Sequence, residues 1–211
     1  MLHDRDIREP LFDFLEERLG KIRIIEEKTM GRSRADIVMV LPEALAGIEI
    51  KSDADTYARL GRQVEDYDRY FDFNYVVVGS THGAHIREHV PQHWGVISVE
   101  EPADGKGALD FYVIREAVRN PYMEPDKKIR LLWRPELARI QEKNGMYKYA
   151  SASKEFVRRK ILECVPPKLL WQQVSEELFE RDYTTIGQTL EEYRRAHRPP
   201  ARTGKKQKRR R

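Results

Sequence analysis

The sequence predicts an α/β protein in which a helix, three strands, a second helix and a fourth strand follow one another (αβββαβ) around a mixed central sheet. Three observations predict this order. An apolar stripe at helical spacing runs through residues 4–19. Short apolar runs separated by turn residues then extend to residue 51. A second helical pattern follows, and after it the apolar run Tyr75–Val78 indicates a buried strand ended by Gly79.

The first helix is predicted between Asp4 and Leu19. The apolar residues that share one face at helical spacing are Ile7, Leu11, Phe14 and Leu15. Pro10 falls within the first two turns, so the regular part of the helix is expected to begin near Glu9. Because Glu9 lies one position off the apolar stripe, its carboxylate is a candidate to face the sheet.

Strands are predicted at Lys21–Glu27 and Ala35–Leu41, followed by a third that carries Glu49-Ile50-Lys51. Side chains on a strand alternate between faces, so Glu49 and Lys51 point the same way while Ile50 points into the core. If the second and third strands pair as a hairpin, Asp36 reaches the face that carries Glu49 and Lys51. Two carboxylates and an ammonium then meet at one place.

This combination of groups can hold Mg²⁺ beside a phosphate. Mg²⁺ takes oxygen ligands and uses only one or two carboxylates together with water and substrate phosphate. The ammonium of Lys51 can stabilise developing negative charge or position an attacking water. The alternative interpretation is a solvent-facing strand on which Glu49 and Lys51 form an ordinary surface ion pair of little energetic value.

The second helix is predicted after Asp53 and Asp55, either of which can begin it, and its apolar positions continue to Phe71. Gln63 and Tyr67 are four residues apart and therefore share one face of this helix.

These residues, in this order of elements, resemble the PD-(D/E)XK nuclease superfamily, which has a restriction-endonuclease-like fold. Asp36 matches the first acidic position, Glu49-Ile50-Lys51 matches the (D/E)-x-K element, and Gln63-x-x-x-Tyr67 is similar to the Gln-x-x-x-Tyr element of the RecB-type branch. The resemblance covers about residues 4–100, with Ala35 in the place of the proline. More narrowly, the chain is similar to a group of bacterial and phage proteins that add a helical C-terminal part to this core.

The resemblance implies a Mg²⁺- or Mn²⁺-dependent deoxyribonuclease. Asp36 and Glu49, joined by Glu9, would hold the metal, and Lys51 would act on the attacking water or the transition state. Gln63 would orient that water or the lysine, and Tyr67 would pack or contact a phosphate. The resemblance also raises a homodimer as a hypothesis, because many members of the superfamily cut duplex DNA as dimers.

Beyond the predicted nuclease-like domain at residues 1–120, the sequence predicts a helical region at residues 126–197 and a disordered basic tail at residues 198–211. The predicted C-terminal helices are Ile129–Lys143, Ser153–Val165, Lys168–Arg181 and Thr185–Arg195.

Residues 137–162 resemble the SAP motif, a helix, loop and helix that grip the DNA backbone. Gly145-Met146 matches its glycine turn, and Ser153-Lys154 matches its Gly-Lys pair with serine in place of glycine. The nucleic-acid-binding candidates in this motif are Lys148, Lys154, Arg158, Arg159 and Lys160, and those in the tail are Lys205, Lys206, Lys208, Arg209, Arg210 and Arg211. An equally weighted alternative is a pair of helices packed on the core with the charged face in water.

The formal net charge of +4 is not spread over the whole chain. Residues 202–211 hold seven basic and no acidic residues, which leaves 32 basic and 35 acidic residues, about −3, for the rest. A generally basic DNA-binding body is therefore excluded, and any DNA-facing charge must be local or lie in the tail.

The single cysteine, Cys164, excludes an intrachain disulfide and is consistent with a reducing cytoplasm, and its apolar neighbours predict a core position. No apolar stretch approaches the ~20 residues of a membrane span, and we expect no signal peptide and no membrane association.

Three functions are compatible with the sequence. The first is a metal-dependent nuclease that hydrolyses DNA phosphodiester bonds in DNA repair, restriction or phage DNA processing. The second is a DNA-binding or repair-accessory protein that keeps the nuclease fold and hydrolyses nothing. The third is an interaction module in which the Asp36, Glu49 and Lys51 cluster is structural, because fold alone does not determine function.

We expect removal of residues 202–211 to weaken DNA binding without changing thermal stability, since the segment carries seven positive charges and no apolar residues with which to form a core. The slope of log K against log salt should shrink by about 0.9 for each tail contact with duplex DNA. Binding titrations of the full and shortened chains across a salt series measure this slope. An unchanged slope would show that the tail does not tether DNA.

Overall fold

A computed structural model describes residues 2–53, 55–79, 83, 85–102 and 108–181 of the chain. The chain divides into two compact units, Met1–Phe179 and Glu180–Arg211. All but two residues of the second unit lie outside the described residues, as do the predicted helix Thr185–Arg195 and the basic tail. The description below therefore concerns the first unit.

Within the described residues, six strands form one sheet in which spatial order follows chain order. The strands are β1 (Arg23–Met30), β2 (Ser33–Val40), β3 (Leu45–Lys51), β4 (Phe73–Gly79), β5 (Gly95–Glu100) and β6 (Asp110–Arg115). Strands β1, β2 and β3 pair antiparallel, β3, β4 and β5 pair parallel, and β6 is antiparallel to β5. The predicted α/β class with a mixed sheet is confirmed.

The described helices precede, cross over and follow this sheet. They are α1 (Asp4–Leu19), α2 (Leu60–Tyr70), α3 (Ile86–His89), α4 (Pro125–Lys128), α5 (Arg134–Lys143), α6 (Lys154–Cys164) and α7 (Pro167–Phe179), with 3₁₀ turns at Tyr57–Arg59 and Ile129–Leu131. None of them is long and apolar enough to cross a lipid bilayer.

The sheet separates two apolar cores. On one side, Ile37 and Ile48 pack with Ile7 and Leu11 of α1. On the other side, residues of β2 and β4 pack with α2 and with the C-terminal helices. Residues 37–40 of β2 alternate between the two cores, because side chains on a strand alternate faces and both faces of the central strands are covered.

Helix α1 spans Asp4–Leu19 as predicted, and it is regular from Asp4 rather than from near Glu9 although it contains Pro10. The backbone N–H of His3 donates to Asp6 at 3.0 Å, and acidic residues in the first turn complement the positive end of the helix dipole. Ile7 is fully buried, so the first turn is also anchored in the core. These contacts outweigh the single intrahelical hydrogen bond that Pro10 cannot make.

The predicted helix Ile129–Lys143 is interrupted. A 3₁₀ turn ends at Leu131, Trp133 is extended (φ −90°, ψ 168°), and α5 begins at Arg134. Pro135 explains the interruption, because its ring would clash with the carbonyl of Leu131 in a continuous helix but is tolerated in a first turn. The helix predicted at Ser153–Val165 is observed as α6, and Ser153 caps it by accepting the N–H of Phe156 at 3.2 Å.

The boundary between units lies at Phe179, not near residues 120–126 where the sequence analysis placed it. Helices α5, α6 and α7 contribute Leu137, Ile161 and Val174 to the same core as Val76 of β4. Cys164 is exposed, so its predicted core position is wrong. Ile161 and Val165, one helical turn apart, occupy the buried face instead.

A buried ion pair joins the core to the C-terminal helices. The Nζ atom of Lys128 lies 2.5 Å from Asp72 and 4.5 Å from the centroid of the Trp171 ring, and both charged side chains are about 1% exposed or less. Burial lowers the pKa of Lys128, and the charge of Asp72 opposes this effect. The exposed Arg119 contacts the same carboxylate at 3.4 Å.

We expect Lys128→Ala to lower the free energy of unfolding by about 3–5 kcal/mol, because it leaves the Asp72 carboxylate buried without its main partner. Arg119→Ala is the matched control: it removes a 63% exposed partner of the same carboxylate, and its effect should stay below about 1 kcal/mol. Urea denaturation of both variants measures the difference. Equal losses would show that the buried pair has no special weight.

Candidate active site

Asp36 and Glu49 lie where the β2–β3 ladder ends. The last paired residues are Ile37 and Ile48, so Asp36 and Glu49 are the next positions on the two strands. The carboxylate of Asp36 accepts the backbone N–H of Ile50 at 2.9 Å in place of a further ladder bond. The hairpin and the alternation predicted from the sequence therefore bring both carboxylates to one face of the sheet.

Glu49 is 1% exposed and its carboxylate accepts hydrogen bonds from three side chains. Oε1 accepts from Lys51 Nζ at 2.7 Å and from the Gln63 side-chain amide, and Oε2 accepts from the Tyr67 hydroxyl at 2.8 Å. Lys51 is itself only 4% exposed. The pair is therefore buried and hydrogen-bonded, in contrast to the surface ion pair of the alternative interpretation.

Helix α2 supplies the two side chains that organise this pair. The side-chain oxygen of Gln63 accepts from Lys51 Nζ at 3.1 Å, so Gln63 contacts the lysine as well as Glu49. The Tyr67 hydroxyl accepts the backbone N–H of Asp36 at 3.2 Å while it donates to Glu49. Tyr67 was expected either to pack or to contact a phosphate. It is fully buried, which favours the packing role. Burial and the charge of Glu49 raise the pKa of Tyr67, which keeps the hydroxyl protonated and able to donate.

Gly47 leaves space for the rings of Tyr67 and Phe71, a role that was not predicted from the sequence. A Cβ at this position would lie 2.3 Å from Phe71 and 2.6 Å from Tyr67. Any larger residue would displace Tyr67 from Glu49, so the position requires glycine. Its place two residues before Glu49 in a strand was the available signal, because an isolated glycine in a strand indicates close approach of another group.

The five candidate catalytic residues divide between the wall of a cavity and its support. A cavity of about 290 Å³ is lined by Asp36, Glu49, Lys51 and Gln63. Tyr67 lies behind this wall and donates a hydrogen bond to Glu49. Asp4, at the start of α1, also lines this cavity.

Asp4, and not Glu9, is the residue of α1 that the structure brings to the cavity. Glu9 is exposed and is absent from the described lining residues. One oxygen of Asp4 accepts from Arg8 Nε at 2.9 Å, and the other is buried without a hydrogen-bond partner among the described residues. Asp4 was not a candidate from the sequence because the regular part of the helix was expected to begin near Glu9.

The carboxylates of the cavity repel one another. Burial raises the pKa of Asp36 to about 7, and the charges of Glu49 and Asp4 act in the same direction. The Ile50 N–H and the guanidinium of Arg8, 3.7 Å away, oppose the rise. A divalent cation would relieve this repulsion, and Asp36, Glu49 and Asp4 are the residues that could hold one.

No three His, Cys, Asp or Glu side chains of the described residues converge closely enough to hold an ion unaided. Mg²⁺ does not require such a convergence, because it keeps several waters and completes its coordination with substrate phosphate. The donor set therefore suits a cation that arrives with, or is completed by, a phosphate ligand.

The candidate nucleic-acid-binding residues of α6 are arranged less favourably than predicted. Arg158 is 8% exposed, which turns its charge away from solvent. Lys160 and Arg159 lie 2.7 Å and 3.8 Å from Glu163, so one carboxylate offsets both. Lys154 is partly exposed.

The loop before α6 keeps part of the predicted SAP-like geometry. Gly145 makes the expected turn with a φ of +61°, a conformation that favours glycine. Lys148 is 69% exposed and lies 3.6 Å from Glu142. The predicted tail contacts, Lys205 to Arg211, lie outside the described residues.

The fold and the site define a mixed α/β protein with a cavity of carboxylates and a lysine where β2 and β3 meet α2. A family model described as Bacteriophage P4 protein cII matches residues 2–200. The chain belongs to this family. No curated protein matches the chain.

Among solved structures, the chain is similar to SfsA of Pyrococcus furiosus in complex with Ca²⁺, with 15% sequence identity and a TM-score of 0.33. The match covers 52% of this chain and 60% of SfsA, so the chain spans less than two thirds of that protein's length. A similarity of this size supports no conclusion about the site.

We expect the stability of the protein to fall between about pH 4 and pH 7. In this range the folded state keeps a proton on Asp36 that the unfolded state has lost, so each rise in pH favours unfolding. Asp36→Asn should flatten this part of the stability–pH curve and raise the free energy of unfolding at pH 7 by roughly 1–3 kcal/mol. Thermal denaturation of both proteins from pH 4 to 8 measures the effect. Parallel curves would contradict the assigned pKa.

Proposed function

We propose that this protein is a metal-dependent nuclease that hydrolyses phosphodiester bonds of DNA. The observation that carries the proposal is the convergence of Asp36, Glu49 and Lys51 on one cavity, with Glu49 held by Gln63 and Tyr67. A buried carboxylate and lysine that served only stability would not need to line an open cavity beside further carboxylates.

The cavity fits a divalent cation such as Mg²⁺ or Mn²⁺. Asp4 carries a buried oxygen with no hydrogen-bond partner among the described residues, and Asp36 is crowded by the charge of Glu49. Both features place excess negative charge where a hard cation would be stabilised. When bound, such a cation polarises a phosphoryl oxygen and lowers the pKa of a coordinated water.

Lys51 is positioned to act on the phosphate. Its ammonium has three N–H donors, of which one goes to Glu49 and one to Gln63. The third donor is available to the cavity, where it can bind a non-bridging phosphate oxygen or hold the attacking water. Because two contacts already orient the ammonium, little conformational entropy remains to be lost during the reaction.

Asp36 can take up or release a proton near neutral pH, because burial and the charge of Glu49 raise its pKa to about 7. A bound divalent cation would favour the ionised form of this carboxylate, which suits Asp36 as a metal ligand and leaves Lys51 to act on the attacking water. Glu49 accepts two hydrogen bonds at Oε1 and one from Tyr67 at Oε2, so Oε2 keeps a lone pair that could bind the cation.

We expect Asp36→Asn, Glu49→Gln and Lys51→Gln each to reduce DNA cleavage about a hundredfold or more. Amide substitutions keep approximate side-chain size and can still hydrogen-bond the buried partner, whereas alanine at Glu49 or Lys51 would remove both the opposite charge and the hydrogen bond. The residues act as a unit, so double variants should lose little more than single ones. Initial rates on plasmid and short duplex DNA with Mg²⁺, Mn²⁺ or EDTA measure this.

Asp4→Asn tests the third carboxylate, and Glu9→Gln on the same helix is its matched control. Asp4→Asn should slow cleavage and raise the Mg²⁺ concentration needed for half-maximal rate, while Glu9→Gln should behave as the wild type. Full activity of Glu49→Gln in Mg²⁺ would reject the assignment of the site. If Glu9→Gln slows cleavage and Asp4→Asn does not, the site stands and its third carboxylate is Glu9.

A further inference from the structure

Four exposed arginines line the same cavity as Asp36 and Glu49, and the mechanism above does not use them. They are Arg32, Arg34, Arg59 and Arg62. We call these four residues the arginine rim. The cavity therefore combines an interior that carries carboxylates with exposed side chains of opposite charge.

Arg32 and Arg34 come from the β1–β2 hairpin. Gly31 and Arg32 form its two-residue turn, and Gly31 adopts a φ of +54° that favours glycine. The N–H of Gly31 donates to the Tyr70 hydroxyl at 3.0 Å, which ties the tip of the hairpin to α2. The position of Arg32 is thus set by a tight turn with a tertiary anchor.

Arg59 is the N-cap residue of α2, and Arg62 lies in the first turn of that helix. Arg59 and Gln63 are four residues apart, and Arg62 is three from Arg59, so all three lie on the side of the helix that meets the cavity. The first turn of α2 contains no acidic residue. Positive charge at the N-terminus of a helix opposes its dipole, so stability does not explain these two arginines.

Three members of the rim, Arg32, Arg59 and Arg62, form no ion pair with any described residue, although carboxylates line the same cavity. Arg34 pairs with Glu27 at 2.6 Å. Exposed arginines elsewhere are commonly neutralised, as Arg69 is by Glu124 at 2.6 Å. Apart from Arg34, the rim is therefore a local concentration of positive charge that no described carboxylate pairs with.

We propose that the arginine rim binds the phosphates of the DNA backbone that flank the phosphate entering the cavity, an inference that rests on the proposed function. A guanidinium presents paired N–H donors that match phosphate oxygens. The carboxylates of the cavity would by themselves repel DNA, and the chain without its last ten residues carries a charge of about −3. Local positive charge beside the cavity overcomes this repulsion.

The rim is better suited to this contact than the basic residues of α6. Glu163 offsets Arg159 and Lys160, and Arg158 is buried. Backbone contacts of this kind supply affinity and position without reading sequence. The rim thus predicts binding to DNA of any sequence, with the cavity placed over a phosphate.

The test compares the double variant Arg59→Gln/Arg62→Gln and the single variant Arg32→Gln with the matched control Arg87→Gln. Arg87 is exposed, makes no ion pair with a described residue and does not line the cavity. Fluorescein-labelled 20-nucleotide DNA, duplex and single-stranded, is titrated with each full-length protein in EDTA across a salt series. Fluorescence anisotropy reports binding without cleavage.

We expect each rim substitution to weaken DNA binding roughly fivefold to tenfold near 0.1 M salt. The slope of log K against log salt should fall by about 0.9 per lost contact on duplex DNA, or about 0.7 on a single strand. Arg87→Gln should bind as the wild type does. In Mg²⁺, rim substitutions should raise KM and leave kcat nearly unchanged, because they remove binding that substrate and transition state share.

The thermal midpoint of Arg59→Gln/Arg62→Gln should be unchanged or slightly higher, since the change removes positive charge from the start of α2. Rim variants that bind DNA as Arg87→Gln does would overturn the inference. If the wild type cleaves no DNA in Mg²⁺ or Mn²⁺ but the rim variants bind DNA more weakly, the rim inference is supported and the nuclease is rejected. If Asp36→Asn loses cleavage while the rim variants bind DNA normally, the nuclease is supported and the rim inference is rejected.

Discussion

The buried carboxylate of Glu49 is the group around which the site is built. At 1% exposure it is stabilised only by the groups that donate to it, because burial of a carboxylate without partners is very costly. Lys51 comes from the same strand, while Gln63 and Tyr67 come from α2. Satisfying one carboxylate therefore fixes the position of α2 over β3, and Gly47 is the position at which the two approach closely enough.

Helix α2 also connects the site to the rest of the molecule through its polar residues. The Asp68 carboxylate accepts from the side chains of Asn74 and Trp94, at 2.8 Å each, and so links the helix to β4 and to the start of β5. Just beyond the helix, Asp72 holds Lys128. The C-terminal helices are thus part of the same packed unit as the sheet, and a change in their packing would be transmitted to Tyr67 through a continuous core.

Charge in this protein is separated over a short distance. Carboxylates line the interior of the cavity, where Asp36 has a pKa of about 7, and the arginine rim lies on the exposed side. Both groups destabilise the folded protein. The carboxylates repel one another, and Arg59 and Arg62 oppose the dipole of α2. A bound cation would relieve the first cost and a polyanion the second. The arrangement suits a ligand that combines the two, as a phosphodiester with a divalent ion does.

Local patterns in the sequence were enough to predict the order of elements, the shared strand face of Glu49 and Lys51 and the shared helix face of Gln63 and Tyr67. That these two pairs meet at one site with Asp36 was an expectation from the family resemblance. Which residues of other elements join them depends on tertiary packing. Asp4 replaces Glu9 because the core holds α1 together through Pro10, and the helical region merges with the sheet because its apolar faces have the same core to bury against. Burial of Arg158 and exposure of Cys164 likewise depend on which face of α6 meets that core, and this is set by packing partners distant in the chain.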